Sequence, residues 1–236
     1  MLSFVSLFGR TQLDQTVASS AAHVSELPSP CFVVDLPTAR RNCAKMLSKA
    51  AAAHVQLRPH IKTHKTIEGA LLQTGNDRSA GICVSTVAEA EFFAAAGFTD
   101  ILYTNPITQD KLSRVQKLLS SSSDSSSNSV NARTGQAVDG VQRMHVMVDS
   151  VDALRCLESE HERQTSAGVV PTVWSVFLKI DAGYHRAGVD VTQGFAEAVS
   201  VARSLTDSPC VELRGIYSHR YCLPSTSVCP QLLFAL

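Results

Sequence analysis

This chain carries no charge excess: Lys+Arg and Asp+Glu both number 21 in its 236 residues. That balance leaves no general electrostatic pull toward nucleic acid or an anionic membrane surface. Its seven cysteines (Cys31, Cys43, Cys83, Cys156, Cys210, Cys222 and Cys229) form no Cys-x-x-Cys pair. Most sit inside apolar runs, where a free thiol behaves as a small hydrophobe, and a reducing compartment fits best. A long apolar run is also missing. Residues 2–8 are apolar but short, and no basic residue precedes them, so they make neither a membrane span nor a good secretory signal. Arg10 is the lone charge for a mitochondrial presequence and Asp14 follows it, so the expected location is cytoplasmic. No Gly-x-Gly-x-x-Gly follows the first strand pattern, which weighs against a dinucleotide-binding sheet.

What is present is a steady alternation of strand and helix patterns. A hydrophobic content of 44% with 18% charged residues describes a soluble globular chain, long enough for one large α/β domain or two small ones. Residues 31–35 read as a short strand, and Pro37 opens a helix where its missing N–H costs nothing. Ala39, Cys43, Leu47 and Ala50 give that helix an apolar stripe. A strand over roughly 55–62 and a helix over 66–73, stopped by Gly75, come next. A strand at 81–84 is followed by Thr86 and Glu89 at capping-box spacing, opening a helix that runs to Gly97. Strand 100–104 and helix 108–119 complete this half.

From Ser120 to Ser129 eight of ten residues are serine, and the polar run continues to about Gly140. Such a stretch cannot bury enough apolar surface to offset the entropy of ordering it, so 120–140 is expected to be a disordered surface insertion. The rhythm then resumes with strand 143–149, helix 151–163, strand 172–181, helix 194–206 and strand 210–218. Repeated βα units imply parallel strands with helices outside, either as an open doubly wound sheet or as a closed barrel.

The most informative stretch is Arg58-Pro59-His60-Ile61-Lys62-Thr63-His64-Lys65. It sets Lys62 at the end of the apolar alternation of Val55 and Leu57, on an element able to aim it. A lysine is a nucleophile only while neutral, and both positive neighbours and a dry pocket penalise its ammonium form. Arg58, His60, His64 and Lys65 are expected to supply those neighbours. The product of such a lysine is a Schiff base with an aldehyde, pyridoxal phosphate being the commonest cofactor of that kind. The same octapeptide also suits a basic loop that binds phosphate, nucleic acid or nothing. His60 and His64 stand four apart, but Pro59 argues against the helix that would make them a metal pair.

Two further constellations stand at strand ends. Residues 179–188 place Lys179, Tyr184 and Arg186 in a glycine-containing loop after strand 172–181, where barrel enzymes keep their active sites. Arg186 suits a phenolate oxygen or a carboxylate, and Tyr184 suits a cofactor heteroatom; each also suits an ordinary surface loop. Gly215-Ile216-Tyr217-Ser218-His219 again puts an imidazole at the end of an apolar strand. In a parallel barrel all three ends share one face.

Together with Pro30-Cys31-Phe32-Val33-Val34-Asp35, these segments resemble the eukaryotic D-serine dehydratase family, with D-threonine aldolases as close relatives, over roughly residues 27–219. The resemblance implies a (β/α)8 TIM-type barrel of the alanine racemase N-terminal type (fold type III) and a lyase that converts D-serine to pyruvate and ammonia through a Lys62 aldimine. Pyridoxal 5'-phosphate is the implied cofactor, with His60, Tyr184, Arg186 and His219 as further cofactor-binding residues. Arg186 would contact the phenolic oxygen, Lys179 would be its companion lysine, and His219 would pack on the pyridine ring. The full-length family is also expected to be a homodimer. Its Zn2+ site is a histidine and a cysteine in a carboxyl-terminal β-domain with which strand 31–35 pairs. The alternatives are retro-aldol cleavage of D-threonine, and a non-catalytic barrel protein that binds the cofactor.

After His219 the family pattern is expected to continue with a glycine-containing loop, but residues 220–236 depart from it. Six strand patterns (near 56–62, 81–85, 100–104, 143–149, 172–181 and 210–218) stand where the fold needs eight. The chain therefore reads as a 1–26 extension, a partial barrel over 27–219 and a non-family tail over 220–236, without zinc ligands. The spacing of Cys222 and Cys229 with His219 is too irregular to replace them. In this form the chain is expected to lack appreciable activity.

Overall fold

Short runs rich in Ile, Val and Leu that end in polar residues build the sheet, and two of them are followed at once by a helix cap, Thr86 and Ser150. The computed structural model describes residues 5–6, 32–120 and 141–219. A two-residue strand β1 (Val5–Ser6) pairs antiparallel with β2 (Phe32–Val33), so the expected strand 31–35 is shorter and its partner here is β1. The next residues serve a helix instead: the Asp35 carboxylate accepts from the Thr38 N–H (3.0 Å) and caps α1 (Leu36–Ala52). Ala39, Cys43, Leu47 and Ala50 do share the half-buried face of α1, but no residue of that helix is fully buried.

Helix α2 (Ile67–Thr74) runs from the Thr66 cap to Gly75, which takes the left-handed conformation at φ 66°. Four βα units follow: β3 (Ile82–Val84) with α3 (Val87–Ala95), β4 (Asp100–Pro106) with α4 (Gln109–Ser120), β5 (Arg143–Val148) with α5 (Val151–Ser166), and β6 (Trp174–Asp181) with α6 (Ala196–Asp207). A two-residue strand β7 (Val189–Asp190) lies in the last crossover, and β8 (Val211–Ser218) ends the described sheet. β3, β4, β5 and β6 are neighbours in that order, β8 follows β6, and every pair in this sheet is parallel. The short β7 escapes sequence reading because two residues carry no periodicity.

The expected strand over 55–62 is reduced to a single parallel bridge between His60 and Cys83. Ile61 donates to the Cys83 carbonyl (3.0 Å) and Cys83 donates to the Pro59 carbonyl (2.8 Å). Pro59 has no N–H to extend the ladder, and residues 62–64 already turn, with Lys65 at φ 51°. The alternation of Val55 and Leu57 therefore marked an extended lead-in and not a paired strand.

Strand alternation divides the side chains between two faces. Ile82, Val84, Ile101, Tyr103, Met144, Val146, Val148, Trp174, Val176 and Leu178 join Phe93, Leu112, Leu154, Leu157, Val201 and Leu205 of the helices in the main core. Cys83, Leu102 and Met147 lie on the opposite face with Phe177 and Tyr217. β8 joins that second group through a bulge. Leu213 is level with Val176, but Gly215 is level with Phe177, so one extra residue switches which side chains face inward. The outcome is that Tyr217 stands opposite Lys179. Among the described residues no helix is long and apolar enough to cross a membrane. Of the expected insertion over 120–140, Ser120 instead ends α4 and the rest lies outside the described residues, as does the expected tail (220–236).

Candidate active site

The octapeptide sends its charges in several directions. Arg58 leaves the site altogether: its guanidinium lies where a Cβ on Gly81 would be and pairs with Asp100 at the start of β4. His64 belongs to α2, since its Nδ1 accepts from the Thr66 N–H (3.1 Å) and its Nε2 therefore donates to Gln73 Oε1 (2.9 Å). Lys65 Nζ pairs with Glu89 Oε1 at 3.2 Å. The expected crowd of cations around Lys62 thus loses Arg58, His64 and Lys65 to partners elsewhere. The same region corrects the capping box. Thr86 accepts from the Glu89 N–H, but the Glu89 carboxylate accepts from the Ser85 N–H (2.8 Å) and not from Thr86.

His60 and Lys62 instead line a cleft of about 140 Å³ at the carboxyl ends of the strands. Lys179, Tyr184, Arg186 and His219 line it too, so residues from all three segments singled out in the sequence meet in one place. Lys62 Nζ has no hydrogen-bond or ion-pair partner among the described residues. Lys179, 6% exposed, donates to the Thr104 carbonyl oxygen (3.0 Å) and lies 5.8 Å from the centroid of the Tyr217 ring. Burial lowers the pKa of the Lys179 ammonium, with Asp149 opposing that shift and Arg186 adding to it. Tyr184 and His219 meet edge to face at 5.2 Å. Burial holds His219 toward its neutral form, helped by the charges of Lys62, Arg186 and Lys179.

The loop after β6 is organised from beneath by Asp181. Its carboxylate accepts from the backbone N–H groups of Gly183 (3.0 Å), Tyr184 (2.8 Å) and Arg186 (3.1 Å). Burial works to raise its pKa, but these donors and His185 outweigh that effect and keep the carboxyl acidic. Gly188 allows the loop to close back on β6: at φ 124°, a Cβ there would lie 2.6 Å from the Ile180 carbonyl carbon. The carboxylate lining the cleft is thus spent on backbone, while the amine of Lys62 and the guanidinium of Arg186 have no acidic partner among the described residues.

Sequence reading missed Ser85, Thr104, Asn105 and Tyr217 as lining residues. Ser85, Thr104 and Asn105 follow or close apolar strand runs, the same signal that marked Lys179 and His219, and could have been found by it. Tyr217 is turned inward by the bulge, whose one mark in the sequence is Gly215, an isolated glycine inside the strand pattern. Among the described residues no group of three His, Cys, Asp or Glu side chains could hold a metal ion.

The sequence model of the alanine racemase N-terminal domain matches residues 34–231. This chain belongs to that family. The match runs past His219 into the segment that sequence reading set apart as a departure. Within the alanine racemase N-terminal family, the chain is 34% identical over 206 residues to the D-serine dehydratase of Dictyostelium discoideum, covering 83% of this chain and 45% of that protein. It is 29% identical over 197 residues to the 3-hydroxy-D-aspartate aldolase of Paracoccus denitrificans, covering 83% and 44%. Among solved structures, D-threo-3-hydroxyaspartate dehydratase from Delftia sp. HT23 superposes with a TM-score of 0.63 at 30% identity, over 82% of this chain and 44% of that one. The alanine racemase of E. faecalis shares the fold at 18% identity and a TM-score of 0.55. The described sheet is accordingly part of an α/β barrel, and the chain spans under half the length of these relatives.

Proposed function

We propose that the cleft binds pyridoxal phosphate through Lys62, and that the natural full-length protein is a D-serine dehydratase. The observation that carries this reading is the Lys62 amine, without a partner among the described residues, set just past the bridge at His60 in a cleft that Lys179, Arg186, His219 and two phenols also line. That donor set fits an anionic, aromatic aldehyde: an amine for the carbonyl, cations for the phosphate, phenolic oxygen and substrate carboxylate, and ring edges for the heterocycle. When bound, pyridoxal phosphate supplies an electron sink for negative charge at the substrate Cα.

Lys62 Nζ gives the covalent attachment point and, when free and neutral, the base that accepts the Cα proton. Arg186 and Lys179 hold anionic oxygens in the cleft. Tyr184 offers its hydroxyl to a heteroatom, and its edge-to-face contact with His219 orients that imidazole to pack on a ring. Loss of the Cα proton and the β-hydroxyl removes water from D-serine, and hydrolysis of the resulting imine gives pyruvate and ammonia. The described residues do not form a site fit for the zinc ion that the resemblance implies.

A second reading is favoured by the aldolases among the relatives. The same amine in the same cleft serves retro-aldol cleavage, in which the Cα–Cβ bond breaks in place of the Cα–H bond. The full-length protein should release pyruvate and ammonia from D-serine. Glycine and acetaldehyde from D-threonine, without pyruvate from D-serine, would replace the dehydratase assignment with the aldolase one. Cofactor binding without turnover of either substrate would leave a non-catalytic barrel.

A further inference from the structure

Both ring nitrogens of His60 are committed, and the direction of each bond is fixed by its partner. The backbone N–H of Lys62 can only donate, and it reaches His60 Nδ1 at 3.3 Å, so Nδ1 carries a lone pair. A neutral imidazole with its lone pair on Nδ1 holds its proton on Nε2. The other end of the ring asks for the same tautomer. Thr104 Oγ1 donates its proton to the Val84 carbonyl (2.8 Å), which leaves it to accept from His60 Nε2 at 3.2 Å. Ser85 Oγ lies 3.4 Å from the same nitrogen as a second acceptor.

The backbone explains why such a side chain is needed. Among the described residues the Ile61 N–H is the last donor of this segment into the sheet, and Lys62 lies two residues beyond the bridge at His60. Without the imidazole, the Lys62 N–H would have no acceptor among the described residues, and the peptide from which the reactive side chain projects would be left to the bond from the Lys65 N–H to the Ile61 carbonyl (2.9 Å). Accepting the reading of Lys62 as the cofactor-bearing amine, we propose that His60 is a positioning residue: a neutral Nε2–H imidazole that ties the Lys62 backbone to Thr104 on β4. It is then neither a cation beside the lysine nor a direct ligand of the cofactor. Its surroundings agree. Burial lowers its pKa, the charges of Lys62 and His219 lower it further and Glu89 opposes them, leaving it at about 4.

The test begins with the full chain, 15N-labelled at histidine and without cofactor, followed by ring 15N–1H correlation from about pH 8 to about pH 5. The His60 signal, identified by its loss in His60→Asn, should report a neutral Nε2–H ring throughout. An Nδ1–H ring, or protonation at the ordinary histidine midpoint, would overturn the proposal. The second arm times borohydride-trapped attachment of pyridoxal phosphate to Lys62. The side-chain oxygen in His60→Asn can accept the N–H two residues on, as in an Asx-turn, so this variant should keep most of the rate. His60→Ala should lose roughly tenfold, the scale of one backbone hydrogen bond left unmade. Equal rates in wild type and His60→Ala would reject the positioning role. If wild type forms no adduct at all, the functional reading fails, and the ring spectrum still decides the state of His60.

Discussion

Single residues at the two ends of the strands do different work. At the amino-terminal end, Asp100 is 4% exposed and meets Arg58, Arg143 Nε (3.1 Å) and His145 Nε2 (3.3 Å). Burial works to raise the pKa of its carboxyl, but hydrogen bonds and charge from His145 and Arg58 outweigh it and hold the group at about 2. The folded value lies below the unfolded one, so the stability it contributes is complete above 3.8 and is lost as pH falls from there through about 2. That loss is about 2 kcal/mol. In urea unfolding, the gap between wild type and Asp100→Asn should narrow over that acid range; a gap independent of pH would contradict the account. At the carboxyl-terminal end, Asp181→Ala should free three backbone donors and loosen the loop that carries Tyr184 and Arg186. Titration with pyridoxal phosphate should then show binding roughly tenfold weaker, with far-UV circular dichroism unchanged. The octapeptide was legible as a motif because its residue types are rare together. The separate destinations of Arg58, His64 and Lys65 were not, because each depends on a partner 9 to 42 residues away in sequence.

At the level of elements, capping and burial account for most of what was readable. The Thr66, Thr86 and Ser150 side chains each accept from a backbone N–H three residues on and start α2, α3 and α5. In α3, Phe93 is fully buried and packs edge to face on Phe92 (5.1 Å) and Phe98 (5.4 Å), whereas Phe92 is 46% exposed. Phe93→Ala should therefore cost about 3–5 kcal/mol in chemical denaturation, and Phe92→Ala about 1 kcal/mol or less. Similar costs for the two would mean that α3 packs on a different face. The strand expected over 55–62 failed for a local reason, since Pro59 has no N–H to extend the ladder and the chain turns from residue 62. Gly188 is a strand-to-loop crossing that tolerates no side chain, and Gly188→Ala should weaken cofactor binding more than it lowers Tm.

For the molecule as a whole, alternating βα units made a parallel α/β sheet legible, while the choice between open sheet and barrel lay beyond periodicity. Membership of the alanine racemase N-terminal family resolves that choice, and the convergence of the 60–62 segment with the ends of β6 and β8 on one cleft gives the fold its chemical meaning. Everything proposed for function depends on one bond, between Lys62 Nζ and the aldehyde carbon of the cofactor. Incubation of the chain with pyridoxal phosphate, borohydride reduction and peptide mass mapping tests it directly. The account predicts a pyridoxyl group on the peptide containing Lys62 and its disappearance in a folded Lys62→Ala variant. Modification of another lysine in its place, Lys179 included, or an undiminished adduct in Lys62→Ala, would contradict it.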